Sequence, residues 1–473
     1  MIPSDRLTLE PCTFRTITMA KYRVPRFIKR FGRTFEENGY DCYLVGGAVR
    51  NMVIGHHPTD YDFATNARPS AVMKIFKSVI PTGIKHGTVT VLFEGHQFEV
   101  TTFRVEGTYS NARHPDKITF TGSLFEDLKR RDFTINSMAI PVMDGTLIDP
   151  HEGCKDLKKG LIRAIGEPAE RFREDGLRLM RACRFSSQLE FSIEAATRRA
   201  MKETVDTIRL VSSERIRDEL VKILSSNRPS IGIRAMQESG LLVHVLPSLS
   251  RCTGVQQGGF HAFDVFEHSL LACDGAPKEK PLVRLAALLH DIGKAETVHE
   301  EAPGQYTFYR HELIAEENCH AIMRRLRFSK DEEAKVCLLV RHHMFNYTDD
   351  WSDGAVRRFI AKVGGENLED LFDLRLADQY GMQGIKPRHD TLASLRDRIK
   401  YIIEKEDALT IKDLHIDGHI LHREADIPYG PDMGVILDQL LEAVMDDPEL
   451  NRREKLLTIA RSFYKEHLLK NRQ

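Results

Sequence analysis

The stretches LVGGAVRN (residues 44–51) and TDYDFAT (residues 59–65) decide how the first part of this chain folds. The first reads as a short buried strand that runs into two glycines and then into a helix carrying Arg50. Gly46 and Gly47 let the backbone approach a phosphate closely, and the free N–H groups at the start of a helix favour anions. The second reads as a strand, in which residues two apart share a face. Asp60 and Asp62 therefore project together, with Tyr61 and Phe63 turned the other way. Two adjacent carboxylates repel unless a cation lies between them, and hard oxygen donors suit Mg²⁺. The plainer reading is a solvated strand edge, but the apolar partners and the glycine turn upstream weigh against it. Glu99, in FEVTTFR (residues 98–104), is a candidate third carboxylate from a neighbouring strand, with a surface glutamate as the other reading. A phosphate turn followed by metal carboxylates implies phosphoryl transfer. No Walker lysine motif is present, so a P-loop enzyme is excluded.

Around these stretches, HGTVTVLF (86–93) and HQFEVTTFR (96–104) alternate and are β-branched, as strands are, while SAVMKIFKSVI (70–80) reads as helical. From about Lys155 onward helical periodicity dominates. The expected fold class is α+β: an α/β head followed by an all-α remainder. GVQQGGF (254–260) reads as a linker, and GIKPR (384–388) interrupts the later helices. The expected domains are residues 22–150, 151–252, 253–384 and 385–473.

Composition sets outer limits. Over 473 residues, 41% are hydrophobic and 29% charged, a globular balance. No apolar run approaches the roughly 20 residues of a membrane-spanning helix. The N-terminal MIPSDRLTLEPCTF lacks a basic start followed by an apolar core, so no secretory signal is expected. The eight cysteines form no CxxC pair, which argues against a zinc ribbon and a disulfide scaffold and for reduced thiols in a cytoplasmic protein. A net charge of −1 leaves nucleic-acid binding to be argued from local motifs.

Four further motifs make a family resemblance specific: RRDFTINSMA (130–139), DPHEGCKDLKKGLIRAIGEP (149–168), REDGLRLMRACRF (173–185) and SSERIRDEL (212–220). Together with LVGGAVRN and DYDFAT, they resemble, in order, the motifs of class II tRNA nucleotidyltransferases and bacterial poly(A) polymerases. That resemblance implies a polymerase-β-like head, a helical neck and a tail. It also implies template-independent addition of CCA to the 3′ end of tRNA from CTP and ATP, with Mg²⁺ at Asp60 and Asp62. Arg131 and Asp132 match the family's nucleotide- and ribose-holding pair, and a carboxylate accepts from a ribose hydroxyl. Asp175 and Arg178, three apart on a helix, match its base-reading pair, with Arg181 and Arg184 continuing the row. A carboxylate and a guanidinium together fit the amine-plus-acceptor edge shared by cytosine and adenine, and not uracil or guanine. Alone, the pair would read as an ordinary salt bridge on a solvated face. The loop VEGTYSNARHPDKITF (105–120) resembles the full-length loop of complete CCA-adding enzymes, with Asn111 where relatives often carry aspartate. TGIKHGTVTVLF (82–93) lacks the basic stretch of the poly(A) relatives. Poly(A) synthesis and partial CC or A addition are the alternative products.

The middle of the chain carries FEHSLLA (266–272), ALLHDIGK (287–294), RHELIAEE (310–317), VRHHMF (340–345) and LADQYG (376–381). These resemble an HD-type metal-dependent phosphohydrolase domain. His268, His290, Asp291 and Asp378 match its first metal site, and His311 with His342 or His343 is placed to build a second. Imidazole with carboxylate suits Mn²⁺, Ni²⁺, Co²⁺, Fe²⁺ or Zn²⁺ better than Ca²⁺. Lys294 is a candidate phosphate contact, and removal of phosphate or cyclic phosphate from damaged tRNA ends fits the chemistry. A third reading makes the chain an HD phosphohydrolase whose N-terminal domain only binds RNA.

Overall fold

The computed structural model describes residues 17–106, 118–259, 261–385, 392–405 and 408–468. The chain forms two compact units, Met1–Pro247 and Ser248–Gln473. No helix among the described residues is long and apolar enough to cross a membrane.

The first unit opens with an eight-stranded mixed sheet. Its strands are β1 (Ile17–Lys21), β2 (Cys42–Val45), β3 (Asp62–Thr65), β4 (Val79–Gly83), β5 (Thr88–Phe93), β6 (His96–Thr102) and the short Ala139–Pro141 and Thr146–Ile148. β2 and β3 lie at the centre, antiparallel to one another, and β3 runs parallel to β6. The register sets Val45 opposite Asp62 and Asp62 opposite Glu99. Helix α1 (Arg26–Glu37) buries Ile28, Phe31, Gly32 and Phe35, the i, i+3, i+4, i+7 stripe of an amphipathic helix. Phe31 sits 4.7 Å from the ring centres of both Phe63 and Phe98. Each buried phenylalanine contributes roughly 1.5–3 kcal/mol. The aromatic core therefore clamps the strands that carry Asp62 and Glu99, because Phe63 and Phe98 are their immediate neighbours in sequence. Behind the sheet domain, helix Leu177–Leu189 packs against Ser213–Leu224 and Pro229–Glu238 through Met180, Cys183, Leu220, Ile223 and Met236, all fully buried.

The second unit is built on helices Val265–Gly275, Pro281–Leu289, His311–Arg325, Lys330–His342 and Leu368–Gln383. A hairpin, Val298–Ala302 with Gln305–Phe308, is its one paired-strand element among the described residues. Toward the C-terminus, Gly418–Ala425, Pro431–Asp446 and Arg453–Phe463 enclose a separate apolar cluster around Leu421, Ile436, Leu440 and Leu456.

Three local expectations change. The helix read across residues 70–80 ends at Ile75; Val79 and Ile80 join β4 and pair with Val91 and Thr90, where β-branched side chains pack better. Asp60 precedes β3 rather than lying within it. The helix read through REDGLRLMRACRF is broken: Pro168–Glu174 stops, Asp175 is extended at φ −143°, and Leu177–Leu189 begins anew. The helical run from about residue 155 also contains a two-residue parallel pairing of Leu161–Ile162 with Ser192–Ile193. Of the loop at 105–120, residues 107–117, including Asn111, lie outside the described residues.

Candidate active site

Helix α2 (Gly46–Val53) begins directly after β2, and Gly46 adopts φ +65° to make the turn. A side chain there would be strained whatever the space. A Cβ on Gly46 would lie 3.4 Å from Arg131 Nη1 and 3.6 Å from Asp62 Oδ2, so the glycine turn, the arginine and the carboxylate meet at one point. Asp60, Asp62 and Glu99 are all exposed. Asp62 is nevertheless closely flanked by protein. This partial desolvation raises its carboxyl above the ordinary range; Arg131 opposes the rise and Asp60 adds to it. Glu99 is raised likewise, by desolvation and then by Asp62, with Arg104 opposing. Asp60 hinders the ionisation of Asp62, and Asp62 that of Glu99; a divalent cation among these carboxylates would relieve the repulsion.

Arg131 is held by Asp127, a fully buried carboxylate on helix Leu124–Lys129, at 3.2 Å. Asp127 also accepts from Arg130 Nε and Nη2 at 2.9 and 2.7 Å. Burial alone would raise Asp127, but the two guanidinium groups hold it below its ordinary range.

Asp132 has surroundings its expected ribose role did not anticipate. It is 7% exposed. Oδ2 accepts from Arg181 at 2.6 Å, and Oδ1 accepts from Phe133 N–H at 2.8 Å and Asn136 Nδ2 at 3.2 Å. Burial opposes its ionisation, yet Arg181 and Asn136 prevail and hold the carboxyl at about 2. A ribose hydroxyl would have to share these oxygens.

Asp175 and Arg178 do not pair with each other as helix spacing suggested, because the chain breaks at Asp175. Arg215 Nη1 and Nη2 donate to the two oxygens of Asp175 at 3.3 and 2.7 Å. Arg178, 7% exposed, donates to Glu174 Oε2 at 2.6 Å and to the carbonyls of Arg171 and Arg130 at 3.0 and 3.1 Å. Its Nε–H makes no hydrogen bond among the described residues.

Arg50, Arg181 and Arg184 gather around one aromatic ring. Their guanidinium carbons lie 5.3, 5.4 and 4.1 Å from the centre of Phe185. Arg50 donates to Asn136 Oδ1 at 2.9 Å, and Arg184 pairs with the buried Glu219 at 2.6 Å. Burial, then Arg184, lower Arg50 to about 10. Three crowded cations are an environment that welcomes an anion.

The second unit gathers another set of donors. His268 Nε2 lies 3.0 Å from His290 Nε2, 3.3 Å from Asp291 Oδ2 and 3.1 Å from Asp378 Oδ1. His311 and His343 approach Asp291 Oδ1 at 3.3 and 3.6 Å. The choice left open between His342 and His343 resolves to His343, which is 1% exposed; His342 is half-buried and is not among the residues facing Asp291. Burial disfavours a charged His290, but Asp291 and Asp378 outweigh it and lift the imidazolium to about 10. Asp291 and Asp378 are held well below their ordinary range by these histidines, and Lys294 adds to the effect at Asp291. Lys294, the candidate phosphate contact, donates to Asp291 Oδ2 and to Gln257 Oε1, both at 2.7 Å. Arg375 donates to the second oxygen of Asp378 at 2.8 Å.

Sequence reading missed Asp127, Glu174, Arg215, Glu219 and Phe185. All lie within or beside quoted motifs. What singles them out is a partner distant in sequence, such as Arg215 for Asp175, which no spacing rule reveals.

The chain matches known families along its length. The family described as "Poly A polymerase head domain" covers residues 42–163. The "Probable RNA and SrmB-binding site of polymerase A" covers 190–252, and tRNA nucleotidyltransferase domain 2 covers 306–460. The chain is 34% identical over 432 residues to the CCA-adding enzyme of Lactobacillus gasseri, spanning 88% of this chain and 91% of that one. It is 33% identical over 433 residues to the CCA-adding enzyme of Limosilactobacillus reuteri, spanning 91% and 95%. The solved structure of the Bacillus stearothermophilus CCA-adding enzyme in complex with CTP is similar at a TM-score of 0.72 and 26% identity, over 94% of this chain and 98% of that one.

Proposed function

The chain belongs to the CCA-adding enzymes, and from that premise we propose how its own residues carry out the reaction. It is a divalent-metal-dependent tRNA nucleotidyltransferase that adds CCA to the 3′ end of tRNA from CTP and ATP. In each step the terminal ribose hydroxyl oxygen bonds to the α-phosphorus of the nucleotide, the bond from that phosphorus to the β-phosphate oxygen breaks, pyrophosphate leaves, and the hydroxyl proton passes to solvent.

Asp60, Asp62 and Glu99 would hold Mg²⁺. Bound there, Mg²⁺ would neutralise phosphate charge and ease ionisation of the attacking hydroxyl. Arg131, aimed by Asp127 at the Gly46 turn, takes the triphosphate together with the α2 N-terminus and Gly47. Arg50, Arg181 and Arg184 supply the cationic surround, and Asp132 positions Arg181. Asp175, oriented by Arg215, accepts from the exocyclic amine of cytosine or adenine, and the Nε–H of Arg178 donates to the adjacent ring nitrogen. The carrying observation is the parallel pairing of Asp62 with Glu99 beside a left-handed Gly46 that faces both Asp62 and Arg131.

The test uses tRNA lacking its end with CTP alone, ATP alone and both. Two cytidines followed by one adenosine, and then arrest, is the expected product; a long A tail or a halt after CC would replace this reading with poly(A) or partial addition. No incorporation would remove it.

The buried histidine–aspartate cluster supports a second activity. His268, His290, Asp291 and Asp378 would hold a transition-metal divalent cation, which would supply Lewis-acid chemistry for hydrolysis of a phosphate ester, with phosphate or cyclic phosphate at a tRNA end as the substrate. His290→Ala should abolish that hydrolysis and leave CCA addition intact. Loss of both activities in a folded variant would overturn the two-site reading.

A further inference from the structure

We propose that Asn136 is a positioning residue for nucleotide addition: its amide holds Arg50 beside the Gly46–Gly47 turn, where the triphosphate is taken, an inference that rests on the transferase reading above.

The three guanidinium groups around Phe185 are not equivalent. Arg181 pairs with Asp132 and Arg184 with Glu219, both at 2.6 Å. Arg50 has only neutral acceptors among the described residues. Asn136 Oδ1 accepts from Nη1 at 2.9 Å, and Asn51 Oδ1 accepts from Nε and Nη2 at 3.3 and 3.2 Å. No carboxylate answers its charge, and it stays charged at neutral pH, since burial and then Arg184 lower it only to about 10. The same guanidinium lies against the start of α2. A Cβ on Gly47 would sit 3.6 Å from Arg50 Nη2, as one on Gly46 would sit 3.4 Å from Arg131 Nη1. Two cations from different elements therefore flank the two glycines that open the helix. A polyphosphate supplies the negative charge that this arrangement lacks.

Only an amide can do what Asn136 does. Its Oδ1 accepts from a guanidinium, which only donates, and its Nδ2 donates to the carboxylate of Asp132 at 3.2 Å, which only accepts. These partners fix which way the amide points. An aspartate of the same shape would lose the donor, set a second carboxylate against the buried Asp132 and neutralise Arg50. The backbone beneath Asn136 is held as firmly. Asn136 ends the buried turn Thr134–Asn136 and is 6% exposed. Thr134 Oγ1 donates to Asp156 at 2.8 Å, and Thr134 N–H donates to the carbonyl of Arg163 at 3.0 Å. A Cβ on Gly153 would lie 2.4 Å from the carbonyl oxygen of Thr134, so only glycine lets helix Gly153–Lys159 seat against the turn. Arg50 is thus anchored to a pinned turn 86 positions away in sequence.

The experiment measures CTP addition to tRNA lacking its end, and inhibition of that addition by pyrophosphate with Mg²⁺ present. It compares the full chain with its Asn136→Asp, Asn136→Ala and Arg50→Gln variants. Pyrophosphate probes the polyphosphate position without base or ribose. Asn136→Asp and Asn136→Ala should each raise KM for CTP and the inhibition constant of pyrophosphate together by about tenfold, the scale of one loosened charge-assisted hydrogen bond. KM for tRNA should not change. A chain carrying both Arg50→Gln and Asn136→Ala should lose no more than Arg50→Gln alone, because Asn136 acts through Arg50. A mere brace for the fold would lower kcat and add its loss to that of Arg50. Unchanged pyrophosphate inhibition in the Asn136 variants, or additive losses, overturns the inference and leaves the transferase reading standing. Where an Asn136 variant fails to fold, Arg50→Gln decides: pyrophosphate inhibition equal to that of the parent overturns the inference. A parent chain that adds no nucleotide overturns both.

Discussion

The carboxylate site of the first unit and the histidine–aspartate cluster of the second differ in donor and in depth. The first offers only oxygens, all on exposed residues, on strands clamped by an aromatic core. The second combines imidazoles with carboxylates, and its donors are nearly sealed from solvent: His268 and His290 are fully buried, Asp291 is 1% exposed, and Asp378 is 7% exposed. An exposed oxygen site binds a hard cation loosely and lets it arrive with the triphosphate. A buried imidazole site would hold a cation more firmly, because folding has already desolvated its donors. Substitution should therefore damage activity in the one place and stability in the other.

The sharpest way to break that contrast is to remove the head carboxylates. Asp60→Ala or Asp62→Ala should lower the rate of nucleotide addition at least about a thousandfold, as loss of a phosphoryl-transfer charge stabiliser does. Thermal unfolding should barely move, because both side chains are exposed. Single-turnover incorporation and a melting curve measure the two together. A large fall in melting temperature would show that the site is structural and the contrast false.

Asp291→Ala should do the opposite. Breaking a buried ion pair costs about 3–5 kcal/mol because the partners are left uncompensated, and here His268, His290 and Lys294 all lean on Asp291. Urea unfolding of the metal-free variant should show that loss, with tRNA extension reduced far less than in Asp60→Ala. A stability change below about 1 kcal/mol would mean the cluster is not stabilised by its central carboxylate.

These sites were unequally legible in the sequence. Alternation read Asp60 and Asp62 as neighbours on one strand face, but only Asp62 lies in β3 and the chain bends at Asp60, a local departure that side-chain alternation does not register. Glu99 was only a candidate, because its partnership with Asp62 depends on the register of two parallel strands 37 positions apart, and register is a tertiary property. The i,i+3 rule failed at Asp175 and Arg178 because an extended Asp175 interrupts the helix. The histidines were visible as motifs, but the choice of His343 over His342 depends on which ring Asp291 faces. A single residue along a helix turns the side chain by about 100°, which no motif resolves where both positions are histidine.

Within the first unit, Asp132 gives a smaller, pH-readable effect. Its carboxyl sits at about 2, against an ordinary 3.8 that the unfolded chain regains. A depressed carboxyl stabilises the fold above the unfolded value and loses that contribution as pH falls through the folded value. The gap is worth about 2 kcal/mol, lost between about pH 4 and pH 2. Asp132→Asn should be less stable at pH 5 and should show a flatter decline below pH 4, measured by urea unfolding across that range. Parallel curves would mean that Asp132 does not carry the acid sensitivity.

The smallest effect expected separates orientation from contact at the base-reading position. Arg215 touches Asp175 through both oxygens at 3.3 and 2.7 Å and stands outside the helix that carries Arg178. Arg215→Ala would leave every acceptor of Arg178 and the head carboxylates in place and free Asp175 to swing. A loss of about 1.4 kcal/mol of transition-state binding is tenfold in kcat/KM, and it should fall on CTP and ATP while UTP and GTP, which present a carbonyl beside a ring N–H where cytosine and adenine present an amine beside a ring acceptor, change little. Selectivity should therefore narrow about tenfold, with KM for tRNA unchanged. Arg215→Lys should recover only part of it, because an ammonium cannot grip both oxygens as a planar guanidinium does. An equal loss for all four nucleotides would make Arg215 a structural brace for the helix, and the base-reading role would then rest on Arg178 alone.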